Sequence, residues 1–333
     1  MNGQNNWTIG DLLNTSSAYW RGCTLQAGVR LGVFTALDGK QLTIPKLAAK
    51  LQSDERGTEL LSNALAAMGL LVKKGMSYSN SAAAEEFLSQ KSPRYMGHII
   101  LHHHHILDGW AQLDKAVLTG RPVEVRSYGE ENERRSFLLG MFNLAMGIAP
   151  KLAPQIDLTG RKRLLDLGGG PGTYAIHFCL ANPELNAVIY DRKTTEPFAR
   201  QTVEQFNLSE RIHFNAGDFT VDPISGGPYD AAWLSHILHS HSPDECQAII
   251  DKAAAALKPG GLMMVHEFIL DDSKDTPEFA ALFSLNMLIH NKGRSYSEEE
   301  LAAMFEKAGI TEIHRHPFRG PNDSSVLCGV VSS

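Results

Sequence analysis

Cysteine is scarce in this chain. Its 333 residues include 4, at Cys23, Cys179, Cys246 and Cys328, and no pair has CxxC spacing. No disulfide framework is needed in a chain long enough to bury a sizeable core. Charge is also thin: 20% of residues are charged, and 31 Lys+Arg against 37 Asp+Glu leave a formal net charge of -6. Nucleic acid and anionic membrane both call for a basic surface, so neither is expected as a partner. Apolar runs such as GLMMV stop far short of the roughly 18 residues of a membrane span. The opening MNGQNNWTIGDLL has no basic segment leading into an apolar one. A cytoplasmic protein is therefore expected.

A hydrophobic fraction of 43%, with 29 Gly and 15 Pro, marks a globular chain. At about 100 to 200 residues per domain, its length predicts two domains. Histidine is in excess, 14 in all, with four consecutive at His102 to His105. Up to about Pro93, apolar residues recur at helical spacing through AYWRGCTLQAGVRLGVFTAL, LTIPKLAAKL and TELLSNALAAMGLL. The last two, followed by LVKKGMSYSNS, outline a winged helix. Its would-be recognition helix, Gly57 to Leu71, holds no Lys or Arg. Such a helix cannot neutralise phosphates, so its apolar residues are assigned to a core or a subunit interface rather than to DNA. Residues 98–150 form a helical connector, broken by an exposed loop near TGRPVEVRSYGEENERRS. From RLLDLGGGPG onward, short apolar runs alternate with helical stretches, the pattern of βα units in a mostly parallel sheet. The division drawn is 1–97 for the first domain and 98–333 for the second, whose α/β core begins at 151.

The most informative stretch is Leu164 to Gly172, an apolar strand entering a glycine cluster that opens a helix. Glycine lets the backbone turn tightly and approach a ligand, and the helix start presents free N–H groups. Dinucleotides and other nucleoside cofactors both use such a turn. Three features favour S-adenosylmethionine over NAD. Asp166, two residues before Gly168, can meet the cationic amino group of the methionine moiety. Thr173 replaces the third fingerprint glycine. Asp191 can hold ribose hydroxyls, and Asp218 with Phe219 can serve the adenine amino group and ring face. The plain alternative is that these acids only cap turns and strand ends.

With those motifs on view, the chain resembles the S-adenosylmethionine-dependent O-methyltransferases of the plant caffeate, flavonoid and acetylserotonin type and their bacterial natural-product relatives. The likeness spans LGVFTAL, LTIPKLAAKL, LLSNALAAMGLL, DLGGGPG, GDF, LSHILHSHSPDEC, LKPGGLMMVHEFIL and GRSYSEEELAAMFEKAGI. It implies a winged-helix-like domain that swaps contacts in a homodimer. It also implies a Rossmann-like methyltransferase domain whose sheet ends in a reversed strand near Ser324 to Val331. Asp166, Gly168, Gly169, Gly170, Gly172, Asp191, Asp218, Phe219 and Ser235 would bind the cofactor, which leaves as S-adenosylhomocysteine.

The same resemblance aligns a catalytic base with His239 and an orienting acid with Glu267. A phenol near pKa 10 is mostly protonated at neutral pH, and a neutral imidazole is suited to take its proton. His236 is the competing imidazole. Phe142, Asn143, Met146, Met287 and Asn291 would line the acceptor cavity, although Met and aromatic residues at helical spacing also suit a plain core. The chain departs from the family at Ser240, where Asp is frequent, at His241, where Trp is frequent, and at Ser295, where many relatives place a second Glu. His98, His102 and His105 share one helix face. They are read as pocket-covering, with His105 counted as substrate-contacting; metal ligation and a structural role are the alternatives, and no metal is assigned. The expected reaction is methyl transfer to a hydroxyl of a small aromatic molecule. Alternatives are a carbon, nitrogen or sulfur acceptor, or a cofactor-binding member that does not methylate.

Overall fold

The computed structural model describes residues 7–123 and 131–332, without the side chains of 131–133. It resolves into two compact units, Met1–Leu107 and Asp108–Ser333, so the units meet ten residues beyond the 97/98 division drawn from sequence. The charged part of the connector loop, 124–130, lies outside the described residues.

In the N-terminal unit, helix Ile9–Ser17 starts at a capping box: the Thr8 hydroxyl accepts from the Asp11 N–H, and the Asp11 carboxylate accepts from the Thr8 N–H at 2.9 Å. Trp7, Ile9, Leu12 and Leu13 are exposed along it, as are Tyr19 and Trp20. The small core of this unit gathers Val33, Phe34, Leu37, Leu47, Leu65 and Tyr78. Around it run β1 (Leu42–Thr43), helices Ile44–Leu51 and Glu55–Ala67, and the hairpin β2 (Leu71–Lys74) and β3 (Ser77–Asn80), in sheet order β1-β3-β2. The would-be recognition helix begins two residues earlier than the sequence suggests because Asp54 caps it, accepting from the Gly57 N–H at 2.9 Å. The histidine run ends helix Gly97–His105, and Arg30 donates to His104 Nε2 at 2.8 Å.

The C-terminal unit is built on seven strands: β4 (Arg163–Leu167), β5 (Asn186–Asp191), β6 (Ile212–Ala216), β7 (Tyr229–Ser235), β8 (Leu257–Glu267), β9 (Ile310–Arg315) and β10 (Ser325–Val331). Their order is β6-β5-β4-β7-β8-β10-β9. β4 to β8 pair in parallel, and β10 runs antiparallel to both β8 and β9. This is the expected Rossmann-like sheet with a reversed strand. The central strands are apolar without alternation because both faces are covered. Leu164 and Trp233 pack with Phe178 and Val203 on one face, while Leu165 and Leu234 pack with Ile250 and Phe305 on the other.

One feature departs from the sequence expectation about apolar runs. By length and composition alone, residues 134–155 could cross a membrane. Their C-terminal part is a core segment: Ala149, Leu152 and Ala153 are fully buried in the cluster that holds Phe178.

Candidate functional site

Strand order reverses at β4, with β5 on one side and β7 on the other, and ligands of open α/β sheets bind outside the strand ends at such a point. The glycine turn leaves β4 there. Gly168 has φ +66°, and a Cβ on it would lie 2.7 Å from Ile237 Cγ2 and 3.4 Å from Phe219 Cε1. A Cβ on Gly169 would lie 2.6 Å from the Asp166 carboxyl carbon. The turn thus brings together Asp166, Ile237 and Phe219, which come from three different strand ends. It hands over to helix Thr173–Ala181, at whose first residue the Thr173 hydroxyl oxygen is buried without a partner. A cradle that a side chain would fill and an orphaned polar atom at a helix start suit a nucleoside cofactor.

The predicted acids surround this cradle. Asp166 is buried and accepts from the Ala175 N–H at 3.2 Å. Burial, with the nearby Asp191 charge adding to it, pushes its carboxyl up to about 7. Asp191 accepts from the Gly170 N–H at 2.8 Å and the Arg192 N–H at 2.6 Å; burial outweighs these bonds and raises its carboxyl too. Asp218 accepts from the Thr220 hydroxyl and N–H, which lower it, and Arg192 stands 3.7 Å away. His241 meets Phe219 edge to face, with ring centroids 6.0 Å apart. Burial lowers this imidazole's basicity.

Two strand ends further along, His239 and Glu267 meet in a buried pair, His239 Nδ1 lying 2.7 Å from Glu267 Oε2. Glu267 ends β8, and its Oε1 accepts from the Leu238 N–H at 3.0 Å and the His239 N–H at 3.3 Å. Burial raises the Glu267 carboxyl, but His239 and His236 together hold it well below the usual carboxylate range. A carboxylate at Nδ1 fixes the tautomer: the neutral ring carries its proton there and leaves Nε2 basic. His236 joins the pair, with Nδ1 3.5 Å from Glu267 Oε2. These three side chains are close enough together to hold a metal ion. The 2.7 Å contact, however, is hydrogen-bond spacing, shorter than the roughly 3.3 Å between ligands 2.0–2.1 Å from a tetrahedral ion.

Other predicted residues fall less tightly. Ser235 Oγ lies 3.0 Å from His266 Nδ1. Met287 is buried on helix Glu278–His290, and the Asn291 amide reaches its sulfur at 3.5 Å. Phe142, Asn143 and Met146 lie on helix Glu131–Leu152; the Met146 sulfur lies 3.4 Å from His177 Nε2, and Asn143 Oδ1 is buried without a partner. His105 is exposed and belongs to the N-terminal unit. Ser240 ends the 3₁₀ turn Leu238–Ser240 that carries His239. Ser295 is buried with an unpartnered hydroxyl, its N–H donating to Ser284. Among the described residues, Glu267 is the acid paired with His239.

Sequence reasoning missed three groups. Phe283 meets the His239 ring edge-on at 4.8 Å and packs with Phe268 and Phe279, an aromatic wall beside the imidazole. Only the phenylalanine spacing in EFAALF could have signalled it. Gly293 lets a loop press on the His239 carbonyl, where any Cβ would collide. His266, fully buried behind Glu267, has Tyr174 and Ser235 near Nδ1 and Ser324 at 3.1 Å from Nε2.

A cradle of this kind at the switch point, beside a buried acid-oriented imidazole, suits a Rossmann-type enzyme that uses a nucleoside cofactor. Residues 106–311 match the O-methyltransferase domain family, and residues 13–90 match the O-methyltransferase dimerisation domain. The chain is 31% identical to 3-hydroxy-5-methyl-1-naphthoate 3-O-methyltransferase of Streptomyces sahachiroi, over 96% of this chain and 94% of that one. It is also 31% identical to the tetracenomycin polyketide synthesis 8-O-methyl transferase TcmO of Streptomyces glaucescens, over 95% and 96%. The solved structure of PigF with SAH superposes with TM-score 0.88 at 26% identity, covering 97% of this chain and 100% of that one. The chain belongs to the O-methyltransferase family; it is an enzyme whose cofactor is S-adenosylmethionine.

Proposed function

We propose that the enzyme methylates a hydroxyl of a small aromatic molecule, with His239 as general base and Glu267 as the acid that orients it. The observation that carries this reading is the buried 2.7 Å His239–Glu267 contact beside the aromatic wall of Phe268, Phe279 and Phe283. S-adenosylmethionine, when bound, supplies a methyl group on a sulfonium sulfur for a single displacement. Asp166 and the turn from Gly168 to Gly172 would hold its methionine part, Asp191 the ribose, and Asp218 with Phe219 the adenine, with Ser235 nearby. Glu267 keeps the His239 proton on Nδ1, so Nε2 is free to take the acceptor's proton. Phe283 limits the tilt of the His239 ring and offers apolar surface to a flat acceptor.

One relative is named for a hydroxynaphthoate 3-hydroxyl and another for an 8-oxygen in tetracenomycin synthesis, which supports the substrate class. The matched dimerisation domain and the exposed Trp7, Leu12, Leu13, Tyr19 and Trp20 support a homodimer formed through the N-terminal residues up to about 97. Phe142, Asn143, Met146, Met287 and Asn291 are candidate acceptor contacts.

The test is a screen of hydroxylated aromatics for S-adenosylhomocysteine formation, with and without a chelator, followed by product mass spectrometry. With an accepted substrate, His239→Ala should lower kcat on the order of 10²- to 10⁴-fold, and Glu267→Gln should lower it in the same direction. Unchanged turnover in both variants refutes the base assignment. A methyl group found on nitrogen, carbon or sulfur refutes the hydroxyl assignment.

A further inference from the structure

His236 has no role in the reading above, yet its ring is held against the His239–Glu267 pair. Its backbone has φ +55°, the left-handed region that few residues other than glycine adopt and that histidine tolerates better than most. Its N–H donates to the His266 carbonyl at 2.9 Å. Its ring lies 4.5 Å from the rings of both His266 and Phe268, centroid to centroid, which fixes the imidazole plane. Held so, His236 Nδ1 is buried, has no hydrogen-bond partner, and lies 3.5 Å from Glu267 Oε2.

That oxygen is the one His239 uses. Glu267 Oε1 is already occupied by two backbone N–H groups, whereas Oε2 has a lone pair beyond the one facing His239. Ser295 is buried with a hydroxyl that reaches no partner. Among the described residues Glu267 is the acid paired with His239, and the further side chain within reach of its Oε2 is the His236 ring. The ionisable groups facing that ring are Glu267, His239 and His266. The ring of His266 meets Ser235 and Ser324, and burial holds it neutral.

We infer that His236 is a positioning residue for methyl transfer: its Nδ1–H closes onto Glu267 Oε2 when His239 takes the acceptor proton, so one carboxylate is shared by two imidazoles. This rests on His239 acting as the base. A donor on Oε2 holds the carboxylate against His239 Nδ1, where its charge stabilises the imidazolium that forms. Without the donor, Oε2 can swing off Nδ1 and that stabilisation weakens.

The test uses the full-length enzyme with an accepted phenol and compares kcat against pH for wild type, His236→Phe, His236→Asn and His239→Ala. Phenylalanine keeps the ring packing and removes the nitrogen; asparagine suits the left-handed backbone and guards against misfolding. Both variants should bind S-adenosylhomocysteine within about twofold of wild type. Both should lose kcat about tenfold, roughly one weak hydrogen bond to a charged group, with the acid limb of the kcat profile moved to lower pH. A wild-type kcat overturns the inference, as does a lowered kcat with an unmoved acid limb, which would mean packing alone. If His239→Ala keeps its turnover, the base reading itself fails; if it collapses while the His236 variants behave as wild type, only the His236 inference fails.

Discussion

Asp166 should make cofactor binding depend on pH in a way that can be worked out beforehand. Its carboxyl, buried beside the glycine turn, is pushed from 3.8 up to about 7 in the cofactor-free chain. The sign follows from linkage. A group whose folded pKa is raised contributes stability that is fully present below the unfolded value, near 4, and lost as pH rises through the folded value near 7. Above pH 7 the cofactor-free fold therefore carries a buried carboxylate costing at most about 4 kcal/mol. A ligand ammonium group placed against it relieves that cost, so the ionised form is the binding form. At pH 6 roughly a tenth of the molecules would be ionised, and the apparent Kd for S-adenosylhomocysteine should rise about tenfold over its value at pH 8. Isothermal titration at pH 6, 7 and 8, in two buffers of different ionisation enthalpy, reads both the affinity and the proton released on binding. Asp166→Asn should bind more weakly and lose the pH dependence. A Kd constant across this range in the wild type, with no proton release at pH 6, would refute the reasoning.

Further outcomes follow from the same geometry. Gly168→Ala forces a Cβ toward Ile237 at a left-handed φ and should cost about 1 to 2 kcal/mol in stability together with cofactor affinity, read by thermal shift and titration. Gly293→Ala pushes on the His239 carbonyl; kcat should fall well over tenfold while the cofactor Kd holds, and equal losses in both would contradict a local effect. Phe283→Ala should raise KM for a flat phenol more than it lowers kcat, because the lost contact is with the acceptor in ground and transition state alike.

The fold was legible from sequence because local pattern and tertiary demand agree. Apolar strands such as RLLDL end in glycine or acid at the edge where the sheet winding reverses, and β10 falls within a residue of its expected start. The histidine run was less legible. Its helical spacing holds, but among the described residues no metal-spaced group forms at His98 to His105, and Arg30 donates to His104. Spacing along one helix places side chains on a shared face without saying what lies opposite.

By itself the sequence determined the mostly parallel sheet and the glycine turn with Asp166, Asp191 and Asp218 at successive strand ends, while His239 and Glu267 came with the family resemblance. The sheet and turn depend on a few neighbouring positions and the fixed geometry of strands. Only the tertiary structure decided that His236 stands 3.5 Å from Glu267, that Gly293 presses on His239, and that Phe268, Phe279 and Phe283 wall the imidazole. Those contacts join residues up to about sixty positions apart, and a side chain's surroundings at that range are set by how helices and loops close over the sheet.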